Sequence, residues 1–331
     1  MRYFIRRDRY RNDRNRFLAT AVFALTAILL SSCSSLGPSV KPAPGSLAST
    51  IDLSGVSISV GSKNYSEQRM LGALYVTALR AAGADVVDRT GIGGTMLAYS
   101  ALESNQIDLY SEYTGTAWST ILGQSEVVSD PDLLFGKVNA MSGESGLTWF
   151  AMSPANSNYA IAAPENLLQR LDINNLSDYA ELARTNPAAA RLCSSTEFAT
   201  RDDGLPGVEK TYGFTLPREQ VLIQESSISV ATMTTQHQCE FSSVVAADPR
   251  LPNYGLRQLV DDRKSFPSYN PAIVMHTEKY ESHKSEYDAL LGEINSLITQ
   301  DVLVKLNSRI QLDDQPEARV ATEFLRENNI I

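Results

Sequence analysis

The 331-residue chain is poor in the residues that build most structural metal sites, since it contains only three cysteines and three histidines. A structural zinc site needs about four ligands at short, regular spacings, and the sequence offers no such cluster. It also lacks the phosphate-binding G-x-x-x-x-G-K-[ST] motif, the H-E-x-x-H motif and a serine in G-x-S-x-G. We therefore expect no metal, no cofactor and no enzymatic activity.

Positive charge is scarce outside the start of the chain. The formal net charge is −9, although seven arginines and only two aspartates precede residue 33, so the remainder carries −14. Nonspecific nucleic-acid binding requires a positive surface, and this composition predicts no nucleic-acid partner. Hydrophobic residues still make up 43% of the chain, which is enough to bury the cores of two domains.

Long apolar runs are absent as well. The longest, residues 17–30, has 14 residues, whereas a membrane-spanning helix needs about 20. It follows an arginine-rich start and precedes Ser31-Ser32-Cys33, the layout of a secretory signal peptide over residues 1–32. Leu30-Ser31-Ser32-Cys33 resembles a bacterial lipobox, which implies cleavage before Cys33 and lipid attached to that cysteine. An ordinary secretory signal and an uncleaved membrane anchor are the alternatives.

The rest of the chain divides into a tether and a body. Residues 33–54 are rich in Ser, Pro, Gly and Ala, a composition typical of a flexible linker. Strand patterns then alternate with helical stripes, and a second such series begins near Asn158 and includes a helix predicted over residues 228–236. This alternation predicts two α/β lobes with mostly parallel sheets covered by helices on both faces.

Two cysteines remain once Cys33 is set aside. Cys193 and Cys239 both lie at predicted strands of the second lobe, and disulfides persist in exported proteins. They either form a bridge or stay as separate buried thiols. The sequence does not give their separation, so both alternatives stay open.

Three segments are unusual in composition: a polar loop, a strand end with two tyrosines and two threonines, and an aromatic turn; loops after strands are where ligands bind in open α/β sheets. The three segments are residues 61–68, 108–117 and 266–271. Together with residues 147–163 and 195–213, they resemble the substrate-binding proteins of ABC transporters for glycine betaine, choline, carnitine and related quaternary-ammonium osmoprotectants. The S-K-N-Y-x-E-Q and E-Y-T-G-T sequences are the most specific parts of the resemblance, which extends over about residues 56–328.

This resemblance implies a two-lobed periplasmic-binding-protein fold, type II-like, with the ligand clamped in the cleft between the lobes. Lobe I is expected to comprise residues 55–155 and 262–331, and lobe II residues 156–261. It further implies a non-catalytic protein that serves separate permease and ATPase subunits, and the lipobox at Cys33 implies that this protein is lipid-anchored on the extracytoplasmic face of the membrane. A diverged member acting as a ligand sensor or an enzyme subunit is the alternative.

The resemblance also implies how the trimethylammonium group of the ligand is held. Tyr113, Tyr159 and Tyr269 match three cage tyrosines, and each aromatic face contributes about 0.5–2 kcal/mol to binding such a cation. One position departs from the family's pattern, because Val245 stands where a fourth cage tyrosine occurs. We expect a cage that is weaker, wider or suited to another ligand.

A carboxylate-binding end is implied by three further matches. Lys63 and Arg201 match the cations that face the ligand carboxylate, and Thr116 matches a hydroxyl donor. Two cations favour a zwitterion over choline, because they would repel a plain cation. Glycine betaine, choline, carnitine, proline betaine and a bulkier betaine such as a trimethylated histidine derivative stay open as ligands.

Overall fold

The computed structural model describes residues 41–224, residue 234 and residues 236–331. The predicted signal peptide, Cys33 and the first part of the predicted linker lie outside these residues, as does most of the helix predicted over 228–236. Within the described part of the chain, no helix has the length and the apolar character that crossing a bilayer requires.

The first of two mixed sheets contains strands from both ends of the body. Its strands are β1 (Ser57–Lys63), β2 (Asp85–Gly93), β3 (Leu109–Tyr113), β4 (Leu147–Phe150) and β10 (Pro271–His276). They lie in the order β2-β1-β3-β10-β4. Its helices are α1 (Ser66–Ala81), α2 (Thr95–Glu103), α3 (Thr114–Thr116), α4 (Pro131–Gly143), α9 (Thr277–Ser282), α10 (Lys284–Tyr287), α11 (Glu293–Leu297), α12 (Gln300–Gln311) and α13 (Glu317–Glu327).

The second sheet is formed by the middle of the chain. Its strands are β5 (Tyr159–Pro164), β6 (Leu192–Ser194), β7 (Val221–Ile223), β8 (Phe241–Val245) and β9 (Leu256–Gln258). They lie in the order β7-β6-β8-β5-β9. Its described helices are α5 (Glu165–Leu171), α6 (Leu176–Thr185), α7 (Thr196–Thr200) and α8 (Leu205–Tyr212).

The chain therefore crosses from the first sheet to the second between Phe150 and Tyr159, and it returns between Gln258 and Pro271. The first strand after each crossing runs against its neighbours. β10 is antiparallel to β3 and β4, and β5 is antiparallel to β8 and β9. Four of the five strands of each sheet run in the same direction, so the sheets are mostly parallel as predicted, and the single opposed strand in each is the one that enters from the other lobe.

Helix α1 shows how the sequence specifies the first lobe. Met70, Leu71, Leu74 and Ala78 recur at helical spacing and are fully buried. They belong to the same apolar core as side chains of the C-terminal helix α13, such as Leu325. The first and last parts of the body are thus packed together in one core. The start of α1 lies at the cleft edge of the sheet.

The prediction of a flexible linker over residues 33–54 is wrong for the part of that segment which the structure describes. Leu47–Thr50 forms a 3-10 turn, and Ala48 and Leu53 are buried in the core of the first lobe. The backbone N–H of Leu53 donates to the carbonyl of Ala82 at 2.8 Å. Because apolar burial and backbone hydrogen bonds hold this segment, it belongs to the lobe and not to a tether.

A disulfide joins Cys193, on β6, to Cys239, which lies just before β8. Their Cα atoms are 5.7 Å apart, both cysteines are buried, and Leu222 packs against them. β6 and β8 are neighbouring parallel strands, so the bridge cross-links adjacent strands of the second sheet. Of the two alternatives that the sequence leaves open, the structure has the bridge.

Candidate functional site

One cavity of about 410 Å³ is lined by residues of both lobes. This volume lies within the range of small-molecule sites, about 300–1,000 Å³. Six side chains are predicted from the sequence to contact the ligand, and all of them line this cavity. They are Lys63, Tyr113, Thr116, Tyr159, Arg201 and Tyr269. The structure thus brings together residues that lie up to two hundred positions apart in the chain.

The ends of the first-lobe strands explain this convergence. β1 ends at Lys63 and β3 ends at Tyr113, and the carboxyl ends of parallel strands meet at one edge of a sheet. Tyr269 comes next to them because Pro271, at the start of β10, is paired with Tyr113. A Cβ at Gly115 would lie 2.8 Å from the Ser268 carbonyl oxygen and 3.0 Å from the Tyr269 ring. The glycine of E-Y-T-G-T is therefore required for the close approach of this tyrosine.

The three tyrosines form adjoining aromatic walls. The rings of Tyr159 and Tyr269 meet edge to face, with their centroids 5.7 Å apart. Lys63 Nζ lies 5.2 Å from the centroid of Tyr113, and Arg201 Cζ lies 5.6 Å from that of Tyr159. Both distances are within the roughly 6 Å at which a cation is attracted to a ring face. Two of the three rings therefore already contact a cation of the protein.

The hydroxyl of Tyr113 is held by a buried carboxylate. It donates to Glu67 Oε1 at 2.6 Å, and Ser157 Oγ donates to the same oxygen at 2.9 Å. Asn307 Nδ2 donates to the other oxygen of Glu67 at 2.6 Å. Burial, together with the charge of Glu67, raises the pKa of Tyr113 well above its usual range, so the phenol stays protonated.

Lys63 has a counter-ion beneath the cavity wall. Its Nζ lies 2.6 Å from Glu112 Oε1, and the side chains are 2% and 0% exposed. The backbone N–H of Tyr113 and the hydroxyl of Tyr110 also donate to Glu112, at 2.7 and 3.1 Å. The ion pair fixes Lys63 at the end of β1, where its side chain also lines the cavity.

Arg201 has a counter-ion too, and this pair reaches across the cleft. Its Nε and Nη2 donate to the two carboxylate oxygens of Asp203 at 2.8 and 2.5 Å. Nη2 also donates to Thr116 Oγ1 at 3.2 Å, and the hydroxyl of Tyr269 donates to Asp203 at 2.6 Å. Burial raises the pKa of Asp203, but the hydrogen bonds and charge of Arg201 outweigh it and leave the pKa below its ordinary value.

These pairings bear on the predicted preference for a zwitterion over choline. Lys63 and Arg201 are each paired with a carboxylate, so they do not present two bare positive charges to a ligand cation. Their repulsion of a plain cation is therefore weaker than that of two unpaired cations.

Residues 56–327 match the family described as the substrate-binding domain of ABC-type glycine betaine transport systems. The chain belongs to this family. The glycine-betaine-binding protein of Pseudomonas aeruginosa is 31% identical over 277 residues, which cover 82% of this chain and 88% of that protein. The ergothioneine transport permease/ergothioneine binding protein EgtU of Helicobacter pylori is 27% identical over 268 residues, 80% of this chain and 46% of that protein.

The fold of this substrate-binding domain agrees with a solved structure. That of apo YehZ from Escherichia coli, at 24% identity, matches with a TM-score of 0.61 over 83% of this chain and 99% of that one. The resemblance drawn from the sequence is confirmed, and so is the two-lobed periplasmic-binding-protein fold.

Val245 of this substrate-binding domain also lines the cavity. On the second sheet it is paired with Tyr159, so it lies directly across from a cage ring. Asp248, Arg250 and Gln311 also line the cavity. Val245 itself is partly buried and packs against the core of the first lobe.

Several residues of the site were not singled out from the sequence: Glu67, Glu112, Ser157, Asp203 and Asn307. Glu67 and Glu112 lie inside the S-K-N-Y-x-E-Q and E-Y-T-G-T sequences, and Asp203 follows Arg201 closely, so the motifs themselves contained a signal. For Asn307 the sequence carries no such signal, because it reaches Glu67 from 240 positions away.

Proposed function

We propose that this substrate-binding protein captures a quaternary-ammonium compatible solute, such as a glycine betaine-like zwitterion, and delivers it to an ABC importer. The observation that carries the proposal is the convergence of Tyr113, Tyr159 and Tyr269 on one cavity. A trimethylammonium group donates no hydrogen bond, and aromatic faces are the surfaces that attract it. A ligand carboxylate would lie towards Lys63 and Thr116, where donor N–H and O–H groups face the cavity.

Closure of the lobes on the ligand belongs to the same proposal. Tyr269 and Thr116 of the first lobe make hydrogen bonds to Asp203 and Arg201 of the second. A ligand that contacts both lobes favours the closed state by its differential affinity. Small-angle X-ray scattering is expected to show a smaller radius of gyration at saturating ligand. An unchanged radius would contradict the clamp.

The partners are a separate permease and a separate ATPase, and the protein itself is not an enzyme. The protein works on the extracytoplasmic face, anchored through lipid on Cys33. The anchor is tested by replacing Cys33 with serine and fractionating cells. We expect the variant to leave the membrane fraction. A variant that stays bound, together with an unlipidated wild type, would contradict the anchor.

A bulkier betaine, such as a trimethylated histidine derivative, is the second candidate ligand. Two features support it: Val245, which stands where the family's pattern has a tyrosine, is paired with Tyr159, and the polar side chains of Asp248 and Arg250 also line the cavity. The name of the relative EgtU records ergothioneine, a molecule of this chemical type.

Calorimetric titration of the purified protein tests both candidates. The panel is glycine betaine, choline, carnitine, proline betaine and ergothioneine. We expect saturable binding of at least one member, and weaker binding in each of three alanine variants, at Tyr113, Tyr159 and Tyr269. If no member binds, or if all three variants bind as the wild type does, the proposed function is wrong.

A further inference from the structure

The cations that line the described cavity are each neutralised by a carboxylate. The three ion pairs are Lys63–Glu112 (2.6 Å), Arg201–Asp203 (2.5 Å) and Arg250–Asp248 (2.5 Å). Glu197, which also lines the cavity, is 45% exposed and lies 3.7 Å from Arg201. The charges of these residues therefore largely cancel within the protein.

Glu67 is different. It lines the cavity and is only 5% exposed, yet no cationic side chain of the described residues lies within ion-pair distance of it. Its carboxylate accepts hydrogen bonds from three neutral groups instead: the hydroxyls of Tyr113 and Ser157 and the amide of Asn307. Neutral donors stabilise a buried carboxylate but leave its charge uncompensated. Among the described residues that line the cavity, Glu67 thus carries a negative charge without a counter-ion.

This charge lies immediately behind a cage ring. The 2.6 Å hydrogen bond from the Tyr113 hydroxyl to Glu67 fixes the ring at the end of β3. Donating to a carboxylate also makes a phenol ring more electron-rich, which strengthens its attraction for a cation. Ser157, in the first crossing between the lobes, and Asn307, on α12, hold the carboxylate from two other segments.

We propose that Glu67 is the counter-charge for the quaternary ammonium group of the ligand and the residue that positions Tyr113. The inference rests on the proposed function, since it assigns a residue to the cationic end of the same ligand. The ammonium group supplies the positive charge that the protein lacks at this position, and the tyrosine rings exclude water from the pair.

The test separates charge from shape with two pairs of ligands of nearly equal size. Glycine betaine is compared with 3,3-dimethylbutanoate, and choline with 3,3-dimethylbutan-1-ol. In each pair a trimethylammonium group is replaced by a neutral tert-butyl group. Affinities are measured by calorimetry for the wild type, Glu67→Gln and the control Glu197→Gln, which removes an exposed carboxylate from the same cavity.

We expect the wild type to bind the better trimethylammonium ligand at least tenfold more tightly than its tert-butyl counterpart. Glu67→Gln should weaken that ligand about tenfold or more and change the tert-butyl ligand by less than about twofold, because only the cation interacts with the lost charge. Glu197→Gln should change both by less than about threefold, because this carboxylate is exposed and already faces Arg201.

The glutamine variant is expected to fold. Asn307 Oδ1 has no hydrogen-bond partner among the described residues, so a flip of its amide presents an acceptor to the new glutamine N–H₂. Equal losses for both members of a pair would show a merely structural role, and unchanged affinity for all ligands would overturn the proposal. If Glu67→Gln does not fold, the test rests on the affinity of the wild type for the trimethylammonium ligand relative to its tert-butyl counterpart. A ratio near one also overturns the proposal. If no quaternary ligand binds the wild type, the proposed function fails instead.

Discussion

Glu112→Gln tests the energetics of the ion pair that holds Lys63 at the cavity. Lys63 and Glu112 are 2% and 0% exposed, with 2.6 Å between Nζ and Oε1. Removing one partner of a buried pair leaves an uncompensated buried charge, which costs about 3–5 kcal/mol. The glutamine can still accept from the backbone N–H of Tyr113, and the Tyr110 hydroxyl can rotate to accept from its amide. The loss therefore comes mainly from the charge, and we expect about 3 kcal/mol.

Urea unfolding of the ligand-free protein, followed by circular dichroism, measures this loss. The matched control is Glu317→Gln, which breaks an exposed pair with Arg69 of the same length, 2.6 Å, with side chains 25% and 44% exposed. An exposed pair is worth less than about 1 kcal/mol. Combining Glu112→Gln with Lys63→Met should restore most of the stability, because no buried charge is then left unpaired. If Glu112→Gln costs no more than Glu317→Gln, the reasoning is refuted.

Four further outcomes follow from the site and the second lobe. Tyr113→Ala should weaken the best quaternary ligand about ten- to a hundredfold by calorimetry, and Tyr113→Phe less, because the ring face is kept although its hydrogen bond to Glu67 is lost. Replacing Cys193 and Cys239 by serine should lower the free energy of unfolding in urea by about 4 kcal/mol, since their bridge closes a 46-residue separation; a loss below about 1 kcal/mol would contradict this. The lowered pKa of Asp203 predicts stability that is present above the ordinary carboxyl pKa and is lost as the pH falls through the folded-state value. Asp203→Asn should therefore flatten the acid limb of the stability profile. Val245→Tyr should strengthen the binding of a compact trimethylammonium ligand and weaken the binding of a bulkier one in the same titrations. Equal effects on both ligands would contradict the interpretation that Val245 stands in place of a fourth cage tyrosine.

The periodicity of apolar residues was sufficient to predict the secondary-structure elements that have a strong pattern. The stripe containing Met70 and Leu74 predicts α1, and its residues are buried as expected. α4 was not predicted, because only Leu134, Val138 and Ser142 of its thirteen residues are buried and its apolar face is weak. β4 is only four residues long, and short apolar runs do not distinguish a strand from a loop. The opposed direction of β10 was not predicted, since strand–helix alternation along the chain carries no information about returns from another lobe.

The composition of the site was predictable only where a motif fixes the residue types. Motif matches nominated six ligand-facing side chains, and the structure gathers all of them around one cavity. Their partners depend on contacts between distant segments. Asp203 receives the Tyr269 hydroxyl from 66 positions away, and Asn307 reaches Glu67 across 240. Such pairings follow from the packing of two lobes and not from local pattern.

The pairings also change what the cavity selects. Counting Lys63 and Arg201 as free cations places the specificity at the carboxylate end of the ligand. With Glu112 and Asp203 bound to them, a ligand carboxylate must share donors that already have acceptors, so it gains less there. In the proposed complex the ammonium end would instead meet the tyrosine faces beside Glu67, which has no cationic partner among the described residues. We therefore expect the cation to govern binding at this site, and the Val245→Tyr titration tests whether this position limits the size of the rest of the ligand.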